Sequence, residues 1–340
     1  MRTLLNILYV TTPEAYLSKD GLNVVVSVNQ EELFRIPIHN IEGIVTFGYM
    51  GASPGLMRLC ADNNVSLTFL SPHGKYIGRF QGYTHGNVLL RKSQYKISED
   101  KESSLHLSKI FIAGKIQNYR AVLKRHLRDY GDNEKIESIC KHLESSKREA
   151  LKADDADSLR GIEGDAANSY FSVLNHLILR KEEAFLFSGR NKRPPKDAVN
   201  ALLSYAYSFI SNEVASALDA VGLDPYVGFF HTLRPGRPSL ALDMMEELRA
   251  YLGDRFILSL INRKQIQPDD FTYLGEKGVI LSENARKIFI TAWQNRKKET
   301  IMHPYLNEKI QIGLIPHLQA LLLARYIRKD IDDYPVFLIK

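Results

Sequence analysis

The hydrophobic pattern of this 340-residue chain changes its period near residue 90, so one regular architecture cannot serve both parts. Before that point, short β-branched and aromatic runs recur between turn residues, over 5–10, 22–28, 33–38, 44–47, 65–70 and 76–80. Runs of this length and composition predict strands. Lys19-Asp20-Gly21 supplies a hairpin turn, and Leu56, Leu59 and Cys60 fall at i, i+3 and i+4, the spacing of one short helix over 54–64. Between 92 and 108 Lys, Ser, Asp and Glu dominate, which reads as a linker. Beyond it, 110–130, 166–186, 195–218, 240–252, 282–296 and 314–328 all carry apolar residues at helical spacing. The expectation is an α+β chain of two domains: a small β-rich N-terminal domain (1–90), a linker (91–108) and a larger all-helical C-terminal domain (109–340).

Composition narrows the setting. A chain this long exceeds the usual single core, in keeping with two domains. No apolar stretch reaches membrane-spanning length, and in the opening ten residues Asn6 interrupts the apolar run, so this segment reads as a first strand and not as a signal peptide. Cys60 and Cys140 are too few for a zinc site or a disulfide framework, which fits a reducing cytoplasm. A net charge of +6 and a pI near 9.0 lean toward a polyanionic partner.

The cations concentrate in the helical part. Lys115, Arg120, Lys124, Arg125 and Arg128 follow one another along one predicted helix, where phosphate contact and simple solvation of the face are both open readings. The loop Arg190-Asn191-Lys192-Arg193-Pro194-Pro195-Lys196 is a stronger candidate. Its prolines fix the backbone, and guanidinium forks match phosphate oxygens.

Three segments carry polar residues that folding explains badly: Gly161-Ile162-Glu163-Gly164, Gly228-Phe229-Phe230-His231, and the 239–247 run containing Asp243, Glu246 and Glu247. Two carboxylates and an imidazole suit Mg²⁺ or Mn²⁺ better than a thiolate-seeking metal. Each has a plainer reading. Glu163 can be a first-turn acid, His231 a core histidine, and Asp243 with Glu246 the polar face of an ordinary surface helix opposite Ala241, Met244, Met245, Leu248 and Leu252.

Longer blocks join these segments. Gly161 to Ala167, Arg190 to Tyr205, Gly222 to His231, Gly236 to Arg249, and Trp293 to Glu299 with His303-Pro304 resemble, in order, the signature blocks of the CRISPR-associated protein one family, the integrase that inserts new spacers. Leu4 to Pro13 is similar to the opening of members found with type I-C systems. The resemblance implies a metal site and catalytic centre at Glu163, His231 and Glu246, with Asp243 the second choice for the third ligand. The candidate DNA contacts are Arg190, Arg193 and Lys196 of the basic loop, together with Arg237. The resemblance further implies Mg²⁺ or Mn²⁺ as cofactor, a β-rich domain that mediates a homodimer, a helical catalytic domain, double-stranded DNA as substrate, and a complex with CRISPR-associated protein two. Two rival functions use the same residues: a metal-dependent nuclease acting on branched DNA in repair, and a non-catalytic DNA-binding scaffold.

Overall fold

The turn-bounded apolar runs form strands β1 (Ile7–Val10), β2 (Tyr16–Asp20), β3 (Asn23–Val28), β4 (Glu31–Pro37), β5 (Gly43–Phe47), β6 (Ser66–Leu70) and β7 (Tyr76–Phe80), with helix α1 (Pro54–Asp62) between β5 and β6. This computed structural model describes every residue except 1–6, 13, 42, 71–75, 81, 83–87, 192–193 and 340, so positions 5 and 6 of the expected first strand lie outside the described residues. The chain divides into two compact units. One gathers Met1–His85 with Phe289–Glu299 and Gln311–Leu314; the other holds Gly86–Ile288, Thr300–Ile310 and Ile315–Lys340.

In the first unit β5 pairs in parallel with both β1 and β6, and β7 closes the sheet antiparallel, giving the order β1-β5-β6-β7. A second, antiparallel sheet runs β2-β3-β4. Leu17, Val24, Val26, Ile44, Leu56, Cys60 and Leu67 bury between these elements as one core. Strand β2 escaped the sequence reading because Leu17 is its one fully buried residue. The turn expected at Lys19-Asp20-Gly21 falls slightly later: Lys19 and Asp20 end β2, paired with Val24 and Asn23, and Gly21-Leu22 makes the turn to β3, with Gly21 at φ +58°, a left-handed conformation that suits glycine.

The C-terminal region contains α2 (Val88–Glu99), α3 (Lys101–Tyr130), α4 (Glu134–Lys152), α5 (Ala156–Ser172), α6 (Leu174–Leu177), α7 (Ala198–Val221), α8 (Ser239–Leu248), α9 (Arg255–Asn262), α10 (Glu283–Lys298) and α11 (Ile315–Ile327). Helix α3, 30 residues and about 45 Å long, packs against α4, α5 and α8. It starts where Asp100 accepts a hydrogen bond from the Ser103 amide and stops at Gly131. Among the described residues no helix is long and apolar enough to cross a membrane.

Three expectations change. The 91–108 stretch is helix, not linker: α2 buries only Leu90 and Gln94, so its polar composition is that of a helix with a narrow buried stripe. The region is not all-helical, because β8 (Phe271–Tyr273) pairs with β9 (Val279–Leu281) and β10 (Thr300–Met302) with β11 (Lys309–Gln311). The helix expected over 166–186 breaks after Ser172, and the Asn175 side chain holds the turn by exchanging hydrogen bonds of 2.8 and 2.9 Å with the Phe187 backbone.

Candidate metal and nucleic-acid site

Glu163 lies in the middle of α5, not in its first turn. Gly161 and Gly164 on either side each cost about 1 kcal/mol relative to alanine in a helix interior. A Cβ at either position would meet nothing within 4 Å, so the glycines leave the backbone beside Glu163 open to close approach. From α3, the Lys115 ammonium pairs with Glu163 Oε1 and lies 2.8 Å from Glu246 Oε2. The other oxygen of Glu246 is 2.8 Å from Arg249 Nη2 and 3.9 Å from His231 Nε2. Helices α3, α5 and α8 and the loop before α8 thus converge on one polar cluster.

Helix α8 is internal, contrary to the surface-helix reading: Asp243, Glu246 and Glu247 are all buried alongside its apolar residues. The three acids point to different partners. Asp243 Oδ2 accepts from the amides of Phe229 (2.6 Å) and Phe230 (3.0 Å), and Oδ1 from the His231 amide (2.9 Å) and His231 Nδ1 (2.6 Å). Gly228 permits this wrap, since a Cβ there would stand 2.6 Å from Asp243 Oδ2 and 2.7 Å from the Ser239 carbonyl carbon. Glu247 turns away to the C-terminal segment, accepting from the Phe337 amide (2.5 Å), the Tyr334 hydroxyl (2.5 Å) and Gln319 Nε2 (3.2 Å).

The loop that carries His231 is held from behind by the stretch expected to be a linker. Gln94 donates to the carbonyls of Asp224 and Val227 (2.8 Å each) and accepts from the Asp224 amide (2.9 Å), while the Ser104 hydroxyl donates to the Phe229 carbonyl (3.0 Å).

Burial alone pushes the Glu246 carboxyl up, but Arg249, Lys115 and His231 outweigh it and hold the group at about 2, so it is ionised throughout the physiological range. Among the described residues no three His, Cys, Asp or Glu side chains form a ready-made metal cage, because Glu163 and Glu246 meet across the Lys115 ammonium. The donor chemistry fits a hard divalent ion: two carboxylates, the Nε2 edge of an imidazole whose Nδ1 faces a carboxylate, and a point already claimed by positive charge.

The basic residues separate into two groups. Arg190 turns inward, donating to the Asn191 carbonyl (2.5 Å) and Asn200 Oδ1 (2.8 Å) with its guanidinium 5.4 Å from the Tyr207 ring centroid, so its fork is committed to shaping the loop. Lys196 is exposed and Arg237 half-buried; Arg193 lies outside the described residues. Along α3, Arg120 pairs with Glu144 (2.7 Å), and Arg125 and Arg128 share Asp129 (3.3 and 3.2 Å). Sequence reading grouped Lys115 with that stripe and so missed its place in the cluster; the signal was its apolar setting, Phe111-Ile112-Ala113-Gly114-Lys115-Ile116.

A family model described as "CRISPR associated protein Cas1" matches residues 8–295. A protein of Chlorobaculum tepidum named "CRISPR-associated endonuclease Cas1 1" is 48% identical over 340 residues, covering 99% of each chain. One of Rhodospirillum rubrum, "CRISPR-associated endonuclease Cas1 2", is 46% identical over 342 residues and 98% of each. Among solved structures, "Casposase bound to integration product" superposes with a TM-score of 0.85 at 22% identity, over 97% of this chain and 93% of that one. A CAS1 protein from Thermotoga maritima, TM1797, does so with a TM-score of 0.83 at 22% identity, over 98% and 100%. At such identities these two likenesses speak for the fold.

Proposed function

Because this chain belongs to the Cas1 family of CRISPR-associated proteins, we propose that it is a divalent-metal-dependent DNA integrase and endonuclease that inserts short foreign DNA segments as new spacers into a CRISPR array. The observation that carries this reading is the convergence of Glu163, His231 and Glu246 on one cluster, with Asp243 behind His231. In the reaction, the 3′-hydroxyl at a DNA end attacks a phosphodiester of the repeat and the repeat strand's own 3′-oxygen leaves. Water in place of the hydroxyl gives cleavage. Glu163, Glu246 and His231 Nε2 would hold Mg²⁺ or Mn²⁺, which would supply Lewis acidity to the reaction.

The chain's own residues prepare that site. Asp243 accepts a hydrogen bond from the Nδ1–H of His231, which keeps the ring proton on that nitrogen and leaves the Nε2 lone pair facing Glu246. Arg249, on the same oxygen of Glu246 that His231 faces, holds that carboxylate in place. Lys196, Arg237 and Arg193 track the DNA backbone. The β-rich N-terminal region mediates a homodimer, and the dimer works in the cytoplasm with CRISPR-associated protein two; complexes named as containing Cas1 and Cas2 share this fold, with a TM-score of 0.84 for one of them.

The test is strand transfer into repeat-containing duplex alongside cleavage, each with Mg²⁺ or Mn²⁺. Glu163→Gln and His231→Ala are expected to lose both activities while keeping the wild-type circular dichroism spectrum. Full activity in either folded variant overturns the site, and cleavage without any strand transfer by the wild type favours a repair nuclease.

A further inference from the structure

Lys115 is the most constrained cation of the cluster. Its side chain is 3% exposed, deep among the apolar residues of α3, yet its ammonium contacts one oxygen of Glu163 and one of Glu246. Glu246 is nearly as buried, at 4%, whereas Glu163 is 25% exposed and forms the open side. Two carboxylates brought this close in a water-poor site repel each other strongly unless a positive charge stands between them. The ammonium supplies that charge from within the chain.

A hard divalent ion binds carboxylate oxygens at roughly 2.0–2.6 Å. An ion on these two oxygens would therefore lie within a few ångströms of the nitrogen, with like charges facing across a largely buried site. Both cations cannot hold the pair at once. Lysine is suited to yielding, because its charge is a point at the end of a four-carbon stem that can rotate while the stem stays packed. Tyr119, one turn further along α3, offers a second resting place: the ammonium already stands 5.7 Å from its ring centroid.

Resting on the ligand assignment proposed above, we infer that Lys115 is a tethered counter-cation that holds Glu163 and Glu246 in place in the ion-free protein and must be displaced before a divalent ion binds them. It thereby sets the ion affinity of the site. While the ammonium occupies the pair, the apparent ion affinity falls by the fraction of molecules in which the pair is free of it.

The experiment is a Mn²⁺ titration of the full chain, free Mn²⁺ being read by its paramagnetic resonance signal, with melting temperature measured in chelator and in Mn²⁺. Lys115→Met is expected to tighten Mn²⁺ binding about 10-fold or more, the gain for a pair that the lysine leaves free roughly a tenth of the time or less. It should also melt below wild type in chelator and gain more from Mn²⁺ than wild type does. Lys115→Arg, which retains the charge, should not tighten binding, and Lys115→Gln serves in place of Lys115→Met if the methionine variant does not fold. Unchanged or weaker Mn²⁺ affinity in the neutral variants, with equal melting losses in chelator and Mn²⁺, overturns the inference and makes Lys115 purely structural. Glu163→Gln separates the two levels. If it weakens Mn²⁺ binding while the neutral Lys115 variants leave it unchanged, the ligand assignment stands and the lysine inference fails; if it leaves Mn²⁺ binding intact, the assignment itself fails.

Discussion

Replacing Asp243 by asparagine changes one oxygen to an amide of nearly the same shape, and the structure says what that does. The carboxylate accepts four hydrogen bonds, two at each oxygen, all from donors fixed by the backbone or by His231. An asparagine can keep two of them. With its oxygen toward the Phe229 and Phe230 amides, its NH₂ faces the His231 amide, donor against donor, and faces Nδ1, which must give up its proton and accept. Gly228 packs too closely for the side chain to move aside. Hydrogen bonds to a charged group contribute about 1.5–3 kcal/mol each and the reversed, neutral bond to Nδ1 returns about 1, so the net cost is about 2–5 kcal/mol. At roughly 2–4 °C per kcal/mol for a domain of this size, melting should fall by about 4 °C or more.

The functional consequence is larger than the thermal one. Forcing Nδ1 to accept moves the ring proton to Nε2, the nitrogen that faces Glu246, and removes its lone pair from the proposed ligand set. Changes to a group that orients a ligand typically cost 10–100-fold in metal affinity. The assay is Mn²⁺ affinity of Asp243→Asn beside Glu246→Gln, with the His231 tautomer read from its ring ¹⁵N shifts. Asp243→Asn should carry the proton on Nε2 and keep weakened binding, while Glu246→Gln should lose binding outright. A folded Asp243→Asn with the proton still on Nδ1 and undiminished affinity refutes the reasoning, and total loss in Asp243→Asn with mild loss in Glu246→Gln moves the third ligand to Asp243.

Two further outcomes follow from the same geometry. Arg190→Gln should lower stability by about 2 kcal/mol through its lost internal hydrogen bonds yet leave the salt dependence of DNA affinity unchanged, whereas Lys196→Gln should leave melting alone and make the logarithmic salt slope shallower by about 0.9; a shallower slope for Arg190→Gln would restore it to the DNA surface. Burial raises the Asp254 carboxyl from 3.8 to about 6 against the opposing hydrogen bond from Tyr207, so the folded state holds its proton more tightly than the unfolded chain, and the stability this contributes is fully present below about pH 3.8 and lost as pH rises to about 6. The stability of wild type relative to Asp254→Asn should therefore fall by about 3 kcal/mol between pH 3.5 and 7 in urea unfolding, and a constant difference would show that the carboxyl is not raised.

Much of the architecture was legible in one dimension because it depends on period and punctuation, which are local. The six expected strands, the helix at 54–62 and the long helices α3, α7, α10 and α11 announce themselves by alternation or by i, i+3, i+4 spacing. Helix α2 did not, because only Leu90 and Gln94 turn inward; its value lies in the bonds Gln94 makes to residues 224 and 227, some 130 positions away. The site divides in the same manner. Residue type and the ordered blocks singled out Glu163, His231, Asp243 and Glu246, since only certain side chains can bind a hard ion. Nothing in the sequence could assign Asp243 to His231, Glu246 to the cluster and Glu247 to the C-terminal segment: successive residues of one helix differ by about 100° in direction, and what stands in each direction is decided by packing. Arg190 and Lys115 carry the same lesson. On paper each is one positive charge among many, and only burial against named partners makes one a loop brace and the other the counter-charge of two carboxylates.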